Sequence, residues 1–310
     1  MIAEYGSLFT VVKYQMNKPT IVVTLGDPAG IGPEIVKKAV RNKSVLKICN
    51  PMVIGNSENF TCGKPSHRSG SAAISFLVKA LDFVYHGKCC HNTSVGAVVT
   101  APVTKNAFTP FGVGGHTEFL AKKTDSKNVE MLMIAGDKKV LLITRHIPIR
   151  DVSKNISKAK IVKSTLLICD FLKEKYNIIK PHIIVCGLNP HCSDNGLVGN
   201  EENREIIPAI NILTKSGFDV LGPVNPEVAF RAKSDLIVCM YHDQAMLPLK
   251  ILKPNEIVNV TVGLPFIRTS PGHGTAFDIA GKNKANPRPM IEAIKLAAYL
   301  AKGNCQCGNG

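Results

Sequence analysis

Asp235-Leu-Ile-Val-Cys-Met-Tyr-His242-Asp243-Gln244 is an aliphatic run that ends on a histidine. Short β-branched and aliphatic runs of this kind read as buried strands. Two other stretches repeat the layout: Val140-Leu-Leu-Ile-Thr-Arg-His146, and His182-Ile-Ile-Val-Cys-Gly-Leu-Asn-Pro-His191. Ligands of open α/β sheets bind at the carboxyl ends of the strands. One histidine so placed is ordinarily a satisfied core or loop residue. Three in the same context point to a site, and three imidazoles can hold one divalent ion.

Around these runs, strands and helices alternate. Strands are expected at 20–25, 51–55, 96–100, 130–135, 139–145, 182–187, 235–241 and 257–262. Helices are expected at 33–41, 71–85, 116–123, 157–176, 202–215, 275–281 and 287–302. In the fourth of these, Ile161, Ile168 and Leu172 share one face. Such alternation predicts an α/β fold with a largely parallel sheet. Residues 1–15 show no clear period and are expected to be a dispensable, poorly ordered extension.

Composition narrows the class. The 310 residues are 45% hydrophobic and 20% charged, enough for one large or two medium domains. No apolar run approaches the ~20 residues of a membrane span. The N-terminus lacks a signal-peptide layout, so a cytoplasmic protein with no membrane partner is expected. A net charge of +15 raises nucleic acid as a partner. The lysines are dispersed, Trp is absent and aromatics are 6%, so a solvated basic surface is expected instead. Ten cysteines are scattered, and Cys186 and Cys239 lie inside strand-like runs, the usage of reduced thiols. Cys89-Cys90 and Cys305-Gln-Cys307 lack paired zinc-ribbon spacing.

Four further stretches carry candidate chemistry. Gly26-Asp-Pro-Ala-Gly-Ile-Gly-Pro-Glu34 joins a strand to a helix and is placed like a phosphate loop, without the dinucleotide or Walker spacing. After the strand exit Thr100-Ala-Pro-Val-Thr-Lys105, His116 and Thr117 sit at a helix start, where a phosphate can bind or Thr117 can serve as N-cap. Lys250, Asn259 and Arg268 are spaced nine apart, a possible clamp for phosphate or carboxylate. Pro271-Gly-His273-Gly-Thr275-Ala-Phe-Asp278, continuing to Asn286-Pro287, resembles the adenosine-binding loop of the metal-dependent dehydrogenases acting on isopropylmalate and isocitrate.

Taken in order, the motifs Gly26–Glu34, Thr100–Lys105, Gly115-His-Thr-Glu-Phe119, Gly187-Leu-Asn-Pro-His191, Tyr241-His-Asp-Gln244 and Gly263-Leu-Pro-Phe-Ile-Arg-Thr-Ser270 resemble the 4-hydroxythreonine-4-phosphate dehydrogenase family. The likeness runs from about Thr20 to about Ala301. It implies a two-domain α/β/α isocitrate/isopropylmalate-dehydrogenase-like fold with the active site in the interdomain cleft. The domains are expected at 16–110 plus 250–310 and at 111–249. The resemblance implies metal ligands at His146, His191 and His242, and substrate contacts at His116, Thr117, Lys250, Asn259 and Arg268. It implies cofactor contacts at His273, Gly274, Thr275, Asp278 and Asn286. NAD or NADP, one divalent ion (Zn, Mg, Co or Mn), a small phosphorylated substrate and a homodimer with shared active sites go with it. Lys250, Asp243 and a metal-bound water are all open as the group that takes the hydroxyl proton. The chain departs from the family after His191, with Cys192-Ser193-Asp194 for the usual Ala-Gly-Glu, and before His273, with Gly272 for Asp. It carries Glu227 where the family has Asp. Two alternatives are a dehydrogenase of threonate or erythronate 4-phosphate and a phosphotransacetylase-like acyltransferase. The acyltransferase needs neither NAD nor three strand-end histidines.

Overall fold

The computed structural model of the protein describes residues 2–5, 9–12, 15, 18–86 and 95–302. The cysteines at 89, 90, 305 and 307 lie outside them. The chain divides into two compact units, residues 1–129 with 258–310, and residues 130–257. The passages at 129/130 and 257/258 lie later in the chain than the expected 110/111 and 249/250.

The first unit begins with β1 (Ile2–Tyr5) and β2 (Phe9–Val12), followed by β3 (Thr20–Thr24), α1 (Gly32–Val40), α2 (Lys43–Leu46), β4 (Asn50–Ile54), α3 (His67–His86), β5 (Val95–Thr100) and α4 (His116–Lys123). Residues 2–5 and 9–12 therefore take up regular structure, contrary to the expected loose extension. β1 pairs antiparallel with β2, and β2 with β4, so backbone groups that β4 would otherwise leave unpaired at an edge are used.

The second unit follows with β6 (Glu130–Ala135), β7 (Lys138–Leu142), α5 (Lys158–Tyr176), β8 (His182–Cys186), α6 (Ile207–Lys215), β9 (Asp219–Val224), α7 (Pro226–Arg231), β10 (Leu236–Cys239) and α8 (His242–Leu252). Its strands lie in the order β6-β7-β10-β8-β9. All neighbours are parallel except β6 and β7. Met133, Val140, Ile184, Ile237, Met246 and Leu249 belong to its core. The segment 202–206 is a π-helical turn leading into α6, where one continuous helix is expected.

The chain re-enters the first unit through β11 (Val258–Val262), β12 (Ile267–Pro271) and α9 (Arg288–Lys302). The strand order there is β1-β2-β4-β3-β5-β12-β11. β3, β4, β5 and β12 run parallel, and β11 pairs antiparallel with β12. Leu77, Leu81, Phe108, Phe119 and Leu120 form a core cluster beside α3. The expected helix at 275–281 is instead a run of turns, because Ala276 takes φ 41° and Gly281 φ 75°, which a right-handed helix cannot contain.

Candidate functional site

The Gly26–Glu34 loop is built for close packing. A Cβ on Gly32 would lie 2.1 Å from the Leu25 carbonyl oxygen, so only glycine fits there. Gly26 has φ +72°, and Asp27 N–H then donates to Pro102 O at 2.9 Å. Asp27 is fully buried, with Oδ1 accepting from Ala29 N–H at 3.0 Å and Oδ2 unpartnered. The loop meets the stretch expected to bind cofactor, since Ile31 N–H donates to Thr275 O at 3.0 Å. Glu34 Oε1 accepts from Ala285 N–H at 3.0 Å, drawing the segment before α9 onto α1. His273 Nδ1 lies 3.1 Å from Gly274 O, and its buried Nε2 has no partner. Burial lowers the His273 pKa, opposed by that backbone contact, so the ring is a neutral one. Gly274 and Asp278 are exposed, and Asn286 Oδ1 accepts from Arg288 N–H at 3.0 Å at the head of α9.

On the same unit, the register places polar side chains on one sheet face. Thr261 is opposite Arg268, and Asn259 opposite Ser270, so period-2 alternation puts all four together. Arg268 also faces Val98 of β5, which brings Thr100, two residues on, to that face. Arg268 is 2% exposed. Its Nε and Nη2 donate to Thr100 Oγ1 at 3.1 and 2.6 Å, and its Nη1 donates to Thr261 Oγ1 at 2.9 Å. Burial pulls the guanidinium down to about 10, with Glu118 opposing, so it stays charged at neutral pH. Among the described residues no carboxylate forms a salt bridge with it. Asn259 Oδ1 is buried without a partner.

His116 is the first residue of α4, after the Gly115 cap. Thr117 is therefore the second helical residue and not the N-cap; it is buried at the open N-terminus of the helix. The His116 ring packs on Phe108 at 5.0 Å, and its buried Nε2 has no partner. Burial first, and then the Arg268 charge, hold His116 well below the usual histidine range. A neutral imidazole and a buried cation thus share one neighbourhood.

The second unit carries the three strand-end histidines on one edge. β7, β10 and β8 are consecutive and parallel, so His146, His242 and His191 all follow carboxyl ends. Thr144 N–H and Oγ1 donate to Met240 O at 3.1 and 2.7 Å, tying the exit of β7 to that of β10. Buried Gln244 accepts from Met240 N–H and donates to Gly187 O, both at 2.7 Å, tying β10 to β8. Fully buried Glu202 accepts from the N–H groups of Leu188 and Asn189 at 2.8 and 2.7 Å and so shapes the approach to His191.

The rings of His146 and His242 are 5.3 Å apart and line a cavity of about 200 Å³ with Arg145, Tyr241 and Asp243. His242 Nδ1 lies 2.7 Å from Asp243 Oδ1. A carboxylate only accepts, so Nδ1 carries a proton toward it, and in the neutral ring Nε2 is the nitrogen left for a ligand. His191 is exposed and is not among the residues lining this cavity. It opens a left-handed stretch in which His191, Cys192, Ser193, Asp194 and Asn195 have φ from 43° to 67°. Among the described residues no group of three His, Cys, Asp or Glu side chains is arranged to hold a metal. The pair His146 and His242, with Asp243 behind, fits two positions of an imidazole-bound ion.

Lys250 lies on α8, exposed, in the second unit, while Asn259 and Arg268 lie on β11 and β12 of the first. Three residues of these sites escape sequence reasoning: Thr100, Thr261 and Gln244. The two threonines look like ordinary strand residues until the register of β5, β11 and β12 is known. Strand β12 is itself missed because a buried arginine interrupts its apolar pattern.

A 4-hydroxythreonine-4-phosphate dehydrogenase of Sulfurihydrogenibium sp. is 37% identical, over 91% of this chain and 98% of its own length. A D-threonate 4-phosphate dehydrogenase of Salmonella typhimurium is 35% identical, over 92% of this chain and 100% of its own. The solved structure of the Klebsiella pneumoniae 4-hydroxythreonine-4-phosphate dehydrogenase superposes with a TM-score of 0.79 at 32% identity, over 93% of this chain and 99% of that one. The fold is accordingly the isocitrate-dehydrogenase-like α/β fold of these enzymes. Residues 11–297 match the family of the pyridoxal phosphate biosynthetic protein PdxA, and the chain belongs to that family.

Proposed function

We propose that the protein oxidises the secondary alcohol of 4-phosphooxy-L-threonine with NAD or NADP. The product, 2-amino-3-oxo-4-phosphooxybutanoate, loses carbon dioxide to give 3-amino-2-oxopropyl phosphate, a step toward pyridoxal phosphate. The observation that carries this reading is the Arg268 face. A buried guanidinium whose partners among the described residues are hydroxyls, beside His116 and the open end of α4, has the chemistry of a phosphate receptor. Arg268, Asn259, His116 and Thr117 are the proposed phosphate ligands, and Lys250, on the second unit, is a further proposed substrate contact. Binding energy taken up at the phosphate orients the carbinol carbon, remote from it, for reaction.

His146, His191 and His242 are the proposed ligands of one divalent ion (Zn, Mg, Co or Mn), and His273, Gly274, Thr275, Asp278 and Asn286 of the nicotinamide cofactor. When bound, the ion would supply Lewis acidity and the nicotinamide would supply the hydride acceptor. Asp243 fixes the tautomer of His242, and either Asp243 or Lys250 takes the hydroxyl proton. The set of three histidines is completed across a homodimer. Leu247, Ile251 and Leu252, exposed on α8 at 62, 72 and 50%, offer a second copy an apolar surface.

Relatives named for D-threonate 4-phosphate favour a second reading, the same oxidation on that substrate. The test is absorbance at the reduced-nicotinamide band with each phosphate ester, each cofactor and added divalent ion. Turnover of 4-phosphooxy-L-threonine with a kcat/KM above that of D-threonate 4-phosphate supports the first reading. The reverse order supports the second, and silence with both overturns both.

A further inference from the structure

We propose that Thr100 and Thr261 are positioning residues that set the phosphate affinity of Arg268 by holding its guanidinium with uncharged acceptors. The inference rests on the reading of Arg268 as a phosphate ligand. A guanidinium has five N–H donors. The bonds to Thr100 and Thr261 use Nε–H and one N–H of each terminal nitrogen. Among the described residues nothing else takes the remaining N–H of each terminal nitrogen, which leaves two donors for phosphate oxygens. The fork is therefore locked in plane before any anion arrives.

The choice of acceptor matters as much as the geometry. An Asp or Glu at either position would hold the fork equally well but would cancel its charge. Hydroxyls orient it and leave the full positive charge for the ligand. The threonines are themselves fixed: Thr100 is 1% exposed at the last residue of β5, and Thr261 is 3% exposed on β11. Both are β-branched and stiff at χ1, and they come from the two strands that flank β12. The three side chains form a bridge across β5, β12 and β11 that a backbone shift cannot easily loosen.

The test uses the full-length protein and inorganic phosphate as the probe, read by calorimetry, with steady-state kinetics on 4-phosphooxy-L-threonine beside it. Thr100→Val and Thr261→Val keep shape and remove the acceptor. Each is expected to weaken phosphate binding about tenfold and to raise KM similarly, with kcat at saturation within about twofold of wild type. Thr100→Ser and Thr261→Ser keep the acceptor and are expected to restore binding to near wild type. A merely structural role would lower the melting temperature without this split between KM and kcat and without rescue by serine. If one valine variant does not fold, the other carries the test, since both address the same guanidinium. Arg268→Lys separates the two levels of the argument. If it weakens phosphate binding while the valine variants bind as wild type, the positioning role is overturned and the phosphate assignment stands. If Arg268→Lys itself binds phosphate as wild type does, the assignment falls and the positioning role falls with it.

Discussion

The arginine face of the first unit and the histidine edge of the second solve opposite problems. Arg268 lies within a strand, and its partners Thr100 and Thr261 lie within the neighbouring strands. Ladder hydrogen bonds therefore place every member, and the group is assembled before a ligand binds. The histidines lie beyond their strands: His242 three residues past the end of β10, His146 four past β7 and His191 five past β8. Nothing in the ladder places them. Side-chain bonds from Gln244, Thr144 and Glu202 hold the exits, and two of the three rings meet while His191 stands exposed. Residues inside a ladder are preorganised, whereas residues on strand-end loops depend on side-chain supports.

The contrast can be broken most forcefully at the histidines. His242→Ala should remove the divalent ion at stoichiometric protein concentration and lower kcat by more than about 100-fold, beyond the 10- to 100-fold typical of losing an outer-shell partner. Metal analysis alongside turnover checks this, with His146→Ala and His191→Ala as companions. Full metal occupancy and unchanged activity in all three would sink the ligand assignment.

At the arginine face the expected effect is next in size. Arg268→Ala should lower kcat/KM for the phosphorylated substrate by about 10- to 100-fold, because a charge-assisted bond contributes roughly 1.5–3 kcal/mol. The dephosphorylated substrate should be poor with wild type and little worsened by the substitution. Equal harm to both would mean that Arg268 holds something other than the phosphate.

The left-handed stretch beside His191 sharpens the comparison through stability. Ser193 sits at φ 67° with a buried, unpartnered hydroxyl. Ser193→Gly removes both penalties and should stabilise the protein by ~1 kcal/mol, a rise of about 2 °C in melting temperature. Asn195→Gly should gain less, since Asn tolerates this region. A drop in melting temperature for Ser193→Gly would show that its side chain supports the loop.

The smallest effect concerns pH. His116 has its pKa depressed in the folded protein by burial and by Arg268, so the unfolded chain binds more protons at acid pH. The stability this group contributes is present above the ordinary histidine pKa of about 6.5 and is lost as pH falls below it. Thermal melts from pH 8 to pH 5 should decline through that window, and His116→Gln should flatten the decline. An identical profile for the variant would place the loss elsewhere.

The alternation of apolar runs and amphipathic segments was enough to identify the α/β class, most of the central strands and the common edge of the three histidines, because burial periodicity and strand ends are local properties. The ordered motifs likewise carried the family. Strand β12 was hidden because its buried Arg268 breaks the apolar pattern, and α8 because its start coincides with a histidine motif. The helix expected at 275–281 failed because Ala276 takes a positive φ next to Thr275, whose carbonyl accepts from Ile31 N–H of the distant Gly26–Glu34 loop. Thr100 and Thr261 joined Arg268 only through the register of three strands far apart in sequence, a non-local choice that no short window contains. By itself the sequence determined the α/β class and the family, because strand periodicity and ordered motifs are local properties. Only the tertiary structure decided which side chains are held rigid, because that depends on hydrogen bonds between distant segments, such as Arg268 to Thr100 across 168 residues.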